Sequence, residues 1–116
     1  MRKVVLGMAI TLDGFIGDLN DKWDWMVRDD TVDNESLGEL LRTTDTILLG
    51  RDTYQVFVSY WPNAVAWNPA LPEGQKQFAS WIVDVPKIVF STTLDRADWN
   101  NTTLVKTDVA GEINRL

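Results

Sequence analysis

Neither cysteine nor histidine occurs among the 116 residues of the chain. Without cysteine there is no disulfide framework, no thiolate nucleophile and no zinc-ribbon spacing; without histidine there is no imidazole base and no His-bearing metal site. Ser-His-Asp and Cys-His catalysis are thereby excluded. Proline (4) and glycine (7) are too sparse for a collagen-like or low-complexity polymer. No apolar run approaches the ~20 residues that a membrane-spanning helix requires. Basic residues are in the minority as well, 11 Lys and Arg against 17 Asp and Glu, for a net charge of −6. An acidic chain repels phosphate backbones, and no basic stretch interleaved with aromatics offsets this, so no nucleic-acid partner is expected. What is present, 45% apolar residues in one modest length, describes a single small globular domain with a core of its own.

Residues 4–10 place Val4, Leu6, Met8 and Ile10 on one face and Val5 and Ala9 on the other, the pattern of a central strand covered on both sides. The basic start before this run resembles a secretory leader only superficially. No small-residue cleavage pattern follows, and a cytoplasmic location is expected. Asp13-Gly14 ends the strand. Asp33 or Asn34 then caps a helix over residues 34–43, with Leu37, Leu40 and Leu41 at i, i+3, i+4. Residues 46–49 read as a strand stopped by Gly50, and Arg51 opens a helix carrying Tyr54, Phe57 and Val58. Residues 61–72 hold three of the four prolines and read as a surface loop with two Trp. A helix is expected over residues 73–82, strands at 87–90 and 102–106, and a last helical turn from Asp108 bearing Ile113 and Leu116. Strands alternating with helices predict an α/β fold around a mostly parallel sheet, with no internal repeat.

In such sheets ligands collect at the carboxyl ends of the strands. Gly50-Arg51-Asp52-Thr53 and Ser91-Thr92-Thr93 both fall there. Glycine admits close backbone approach, the helix start offers free N–H groups to an anion, Arg51 adds a bidentate contact and Thr53 a hydroxyl. The plainer alternative is a Gly turn, a solvated Arg and hydroxyls that satisfy local backbone. If a nucleotide binds, hydroxyls with an Arg on the rim favour a 2′-phosphate over a bare ribose, with Asp95 the nearest acid against this. Asp13-Gly14-Phe15-Ile16-Gly17 lies beyond another strand end, where Asp13 can orient a polar ligand or simply make an Asp-Gly turn. Trp23 and Trp25 can stack on a flat ring or anchor a loop, and Trp25 joins Asp13 as a candidate on the substrate side. Asp29-Asp30 reads as a solvated charge run, and no calcium-loop spacing or other metal site is present.

Four motifs in order carry a resemblance. Met8-Ala9-Ile10-Thr11-Leu12-Asp13-Gly14-Phe15-Ile16-Gly17, Asp45-Thr46-Ile47-Leu48-Leu49-Gly50-Arg51-Asp52-Thr53-Tyr54, Tyr60-Trp61-Pro62 and Pro86-Lys87-Ile88-Val89-Phe90-Ser91 look like the bacterial dihydrofolate reductase-like family. That family shares its domain with the reductase half of the bifunctional riboflavin-biosynthesis enzyme. The resemblance runs the length of the chain and implies a three-layer fold and an NADPH site. It implies that Ala9, Ile16 and Gly17 border the nicotinamide, and that Gly50, Arg51 and Thr53 hold phosphate groups. Ser91 and Thr92 are then near the adenosine ribose and its phosphate, and Asp13 faces the substrate.

The missing His and Cys are no obstacle, because hydride transfer is the cofactor's chemistry. Asp33 and Glu35 do not stand in the context of the pterin-binding acid of dihydrofolate reductases, which argues against folate, and the catalytic acid is unassigned. The function implied is NADPH-dependent reduction of a small heterocycle, pterin-like or ribosylamino-pyrimidine-like. The alternative is a non-catalytic nucleotide-binding or assembly module on the same fold. The family pattern also leads one to expect further strands after residue 116; a helix from Asp108 that ends at Leu116, with Ile113 and Leu116 uncovered beside an unpaired sheet edge, leads one to expect a homodimer or exchanged dimer, or else a longer polypeptide.

Overall fold

The computed structural model describes residues 2–20, 26, 27 and 29–116. Its elements are α1 (Asp30–Thr43), β1 (Ile47–Gly50), α2 (Arg51–Tyr60), a 3-10 turn (Trp61–Asn63), α3 (Ala64–Trp67), α4 (Glu73–Asp84), β2 (Lys87–Phe90), β3 (Thr102–Val105) and α5 (Val109–Arg115). The three strands form one parallel sheet in the order β1-β2-β3, with Leu49 opposite Val89 and Val89 opposite Leu104. This is the α/β arrangement expected from the alternation of strands and helices.

β2 is the middle strand. Lys87, Ile88 and Val89 are all buried, as the unbroken apolar run predicts for a strand covered on both faces. β1 and β3 are partly exposed edges. Around Leu49, Tyr54 and Val89 pack Phe57, Val58, Leu94, Ala97, Trp99 and Leu104. A second cluster, Phe78, Ile82 and Val85, takes Leu37, Leu40 and Leu41 of α1 on one side and Trp61 and Trp81 on another. Phe57, Trp61 and Phe78 meet edge to face, with Trp61 and Phe78 centroids 4.7 Å apart, the geometry that ring quadrupoles favour. Where α1 meets α4, Gly74 N–H donates to Asn34 Oδ1 at 3.0 Å. A Cβ at position 74 would run into that same Asn34 side chain.

The C-terminal end of α4 shows how local chemistry replaces a glycine cap. The last carbonyls of a helix lack intrahelical donors. Here Lys87 Nζ donates to Ile82 O at 2.7 Å, Val83 O at 3.0 Å and Val85 O at 2.7 Å. Asn101 Nδ2 donates to Asp84 O at 2.7 Å, and Asn100 Nδ2 to Val83 O at 3.2 Å. The Lys87 ammonium also lies 4.6 Å from the centroid of the Trp99 ring, and its charge complements the negative end of the helix.

Three expectations are corrected. Residues 4–10 form no strand; Leu6 is 81% exposed and Val4 and Val5 nearly as open. Alternation only prepares a segment for pairing, and the described sheet ends at β1 without it. Helix α1 starts at Asp30 rather than 34, because Asp29 is its cap, accepting from Thr31 N and Val32 N at 2.9 and 3.2 Å. Asp29 is therefore a capping residue as well as an exposed acid beside the exposed Asp30. Residues 61–72 are not a loop throughout: Pro62 sits in the first turn of the 3-10 segment, where a missing N–H costs nothing, and Ala64 and Leu71 are buried.

Candidate functional site

All three strands point their carboxyl ends at one open cleft of about 530 Å³. Gly50 and Arg51 come from the end of β1, Phe90 and Ser91 from β2, and Val105 and Lys106 from β3, with Asp52, Thr53, Thr92, Thr93 and Val109 completing the wall. Five residues expected at a phosphate or ribose, Gly50, Arg51, Thr53, Ser91 and Thr92, are thus brought together.

Helix α2 begins at Gly50 with no side-chain cap, so its first-turn N–H groups remain available at the cleft. Gly50 has an ordinary φ of −84°, and a Cβ there would meet nothing of the protein within 4 Å. Neither backbone conformation nor packing within the protein requires glycine here, and the position leaves the backbone open to the cleft. Arg51 is held from two sides: Nε donates to Asp52 Oδ1 at 2.8 Å and Nη1 to Thr93 Oγ1 at 3.3 Å. The Ser91 hydroxyl accepts from Thr93 N and Leu94 N, each at 3.2 Å, and lies 3.3 Å from Thr93 Oγ1. Ser91 thus shapes the turn that carries Thr93 to Arg51, as the plainer reading of these hydroxyls anticipated.

Lys106 escaped the sequence reading. It follows β3 directly, and the rule that singled out Gly50 and Ser91, polar residues just past a strand, applies to it equally. The acid at this cleft is Asp52; Asp95 is not among the lining residues.

The remaining candidates lie elsewhere. Ala9, Asp13, Ile16 and Gly17 do not line the cleft. Asp13 belongs to a tight turn: Thr11 Oγ1 donates to Asp13 Oδ1 at 2.6 Å, Gly14 N to Thr11 O at 3.0 Å, and Phe15 N to Thr11 Oγ1 at 2.8 Å. Gly14 supplies the left-handed φ of +94° that this turn needs. Trp25, like Trp23, lies outside the described residues. Among the described residues no cluster of acids fits a metal ion, and no helix is long and apolar enough to cross a membrane.

The parallel sheet, with a helix start, two cations and a row of hydroxyls gathered at its strand ends, is an α/β domain consistent with a dihydrofolate reductase-like fold. Residues 2–113 match the family of the RibD C-terminal domain, and the chain belongs to that family. It is 30% identical over 115 residues to the uncharacterized protein YyaP of Bacillus subtilis (strain 168), across 99% of this chain and 56% of YyaP. A second Bacillus subtilis protein, the uncharacterized YwjB, is 35% identical over 54 residues, 47% of this chain and 31% of YwjB. The chain thus spans about half the length of YyaP and less of YwjB.

Proposed function

We propose that the chain binds NADPH at the strand-end cleft and serves as the dinucleotide-binding part of a reductase for a small heterocycle of the pterin or ribosylamino-pyrimidine kind. The observation that carries this reading is the convergence of Gly50, Arg51, Thr53, Lys106 and the uncapped start of α2 on one cleft. The residues fit the group: an open approach over Gly50, two cations for phosphate oxygens, and backbone N–H groups directed by the α2 dipole. NADPH would supply the hydride. The chain's own part is to grip the phosphates with Arg51 and Lys106, to seat the ribose against Thr92, and to keep Arg51 oriented through Thr93 and Ser91.

A second reading has its own support. Ala9, Asp13, Ile16 and Gly17, which the family resemblance sets beside the nicotinamide and substrate, stand away from the cleft. A nucleotide-binding or assembly module would need the cleft but not these four.

Titration with NADPH and NADH, read by the emission of the six Trp, tests binding, and NADPH oxidation with candidate heterocycles separates the two readings. Arg51→Ala should weaken NADPH binding by about 1.5–3 kcal/mol, the range for a hydrogen bond to a charged group, and leave NADH nearly unchanged. Equal losses for both dinucleotides would move the Arg51 contact to the shared pyrophosphate. Absence of any saturable change would refute the dinucleotide site.

A further inference from the structure

A hydroxyl has one proton to donate and two lone pairs with which to accept. In the turn after β2, Ser91 Oγ accepts from Thr93 N and from Leu94 N, each at 3.2 Å, and these two bonds fill its acceptor positions. At the 3.3 Å contact between Ser91 Oγ and Thr93 Oγ1, Ser91 is therefore the donor. Thr93 Oγ1 also accepts from Arg51 Nη1 at 3.3 Å, so its own two lone pairs are taken, one by each neighbour.

The Thr93 proton is left over. Thr93 is exposed on the cleft wall, and among the described residues its hydroxyl meets only Ser91 and Arg51, both of which donate to it. On Arg51, Nε is engaged by Asp52 and one N–H of Nη1 by Thr93, which leaves the remaining guanidinium donors open. A free hydroxyl proton thus stands beside free guanidinium protons on heavy atoms 3.3 Å apart, close enough to reach neighbouring oxygens of one phosphate group. Water in the open cleft takes these donors until an anion displaces it.

We propose that Thr93 is a ligand-binding residue whose hydroxyl donates to the phosphate group that Arg51 grips. The inference rests on the reading of the cleft as a dinucleotide site. The resemblance implies ligand contacts for Ser91 and Thr92; the bonding pattern turns the Ser91 hydroxyl inward, to hold the turn, and gives the outward proton to Thr93.

Fluorescence titration with NADPH compares wild type with Thr93→Val, which keeps the shape and removes the hydroxyl, and with Thr93→Ser, which keeps the hydroxyl. Thr93→Val should weaken binding about tenfold, the low end of the range for a hydrogen bond to a charged group, as suits a cleft open to water. Thr93→Ser should stay within about threefold of wild type, since the donor is retained. Thr93→Ala serves if the thermal melt of the Val variant differs from wild type. Because Thr93 also steadies Arg51, the comparison is repeated in an Arg51→Ala background. There a direct donor still contributes about threefold or more, whereas a residue acting only through Arg51 contributes nothing. Unchanged affinity in Thr93→Val, or an effect that vanishes in the Arg51→Ala background, overturns the donation and leaves the dinucleotide site standing. Failure of the wild type to bind NADPH overturns both.

Discussion

Lys87 is 1% exposed, yet it carries an ammonium group. Burial pushes its pKa below the ordinary lysine value, and the Asp84 carboxylate partly opposes the shift. Because the folded pKa lies below the unfolded one, the unfolded chain binds more protons in the window beneath pH ~10.5, and stability must rise with pH through that window. Urea unfolding of wild type and Lys87→Met between about pH 7.5 and 10 checks this: the rise belonging to Lys87 should be missing in the variant. At neutral pH the variant should also be less stable by about 1–3 kcal/mol, because the carbonyls of Ile82, Val83 and Val85 lose a shared donor. A variant as stable as wild type, with the same pH slope, would remove Lys87 from the cap of α4.

At the scale of elements, the contact of α1 with α4 is set by the absence of a side chain at Gly74. Gly74→Ala should cost about 1–3 kcal/mol, since Asn34 must move and surrender its bond to the position-74 amide. Gly38→Ala, on α1 with nothing within 4 Å of its added Cβ, should instead be neutral or stabilising by up to about 1 kcal/mol. Thermal melts of the pair distinguish a packing glycine from a permissive one.

Element bounds were legible in the sequence where punctuation was strong. Gly50 ends β1, Pro86 precedes β2, and the apolar run after Pro86 is buried as read. The start of α1 was ambiguous because Asp29, Asp33 and Asn34 can all cap, and no apolar residue in 30–31 decides among them. The prolines of residues 61–72 misled, since a proline in a first helical turn breaks nothing. Five cleft residues followed from the rule that strand ends gather ligands. Lys106 obeys that rule and was overlooked, while the partnership of Arg51 with Asp52 depends on side-chain orientation, which spacing alone does not encode.

For the molecule as a whole, the described N-terminal segment presents Val4, Val5, Leu6, Met8 and Ile10 to solvent. Monomeric proteins seldom leave so continuous an apolar row uncovered, and β1 offers a strand edge facing away from β2. We propose a homodimer on this basis. Light scattering should give a mass near twice the 13.2 kDa of the chain, falling toward the monomer when Leu6 and Met8 are both changed to Lys. A wild-type monomer at micromolar concentration would contradict the assembly.

The central position of β2 has a consequence on the clock of the folded state. Lys87 N–H donates to Asn101 O at 2.8 Å, Val89 is opposite Leu49 on one side and Leu104 on the other, and both Ile88 and Val89 are buried. Fraying of either edge strand therefore leaves the β2 ladder half intact. Hydrogen–deuterium exchange should therefore be slower at the amides of β2 than at the solvent-facing start of α2. The cleft wall and the sheet beneath it should thus keep different times, the start of α2 opening more often than β2.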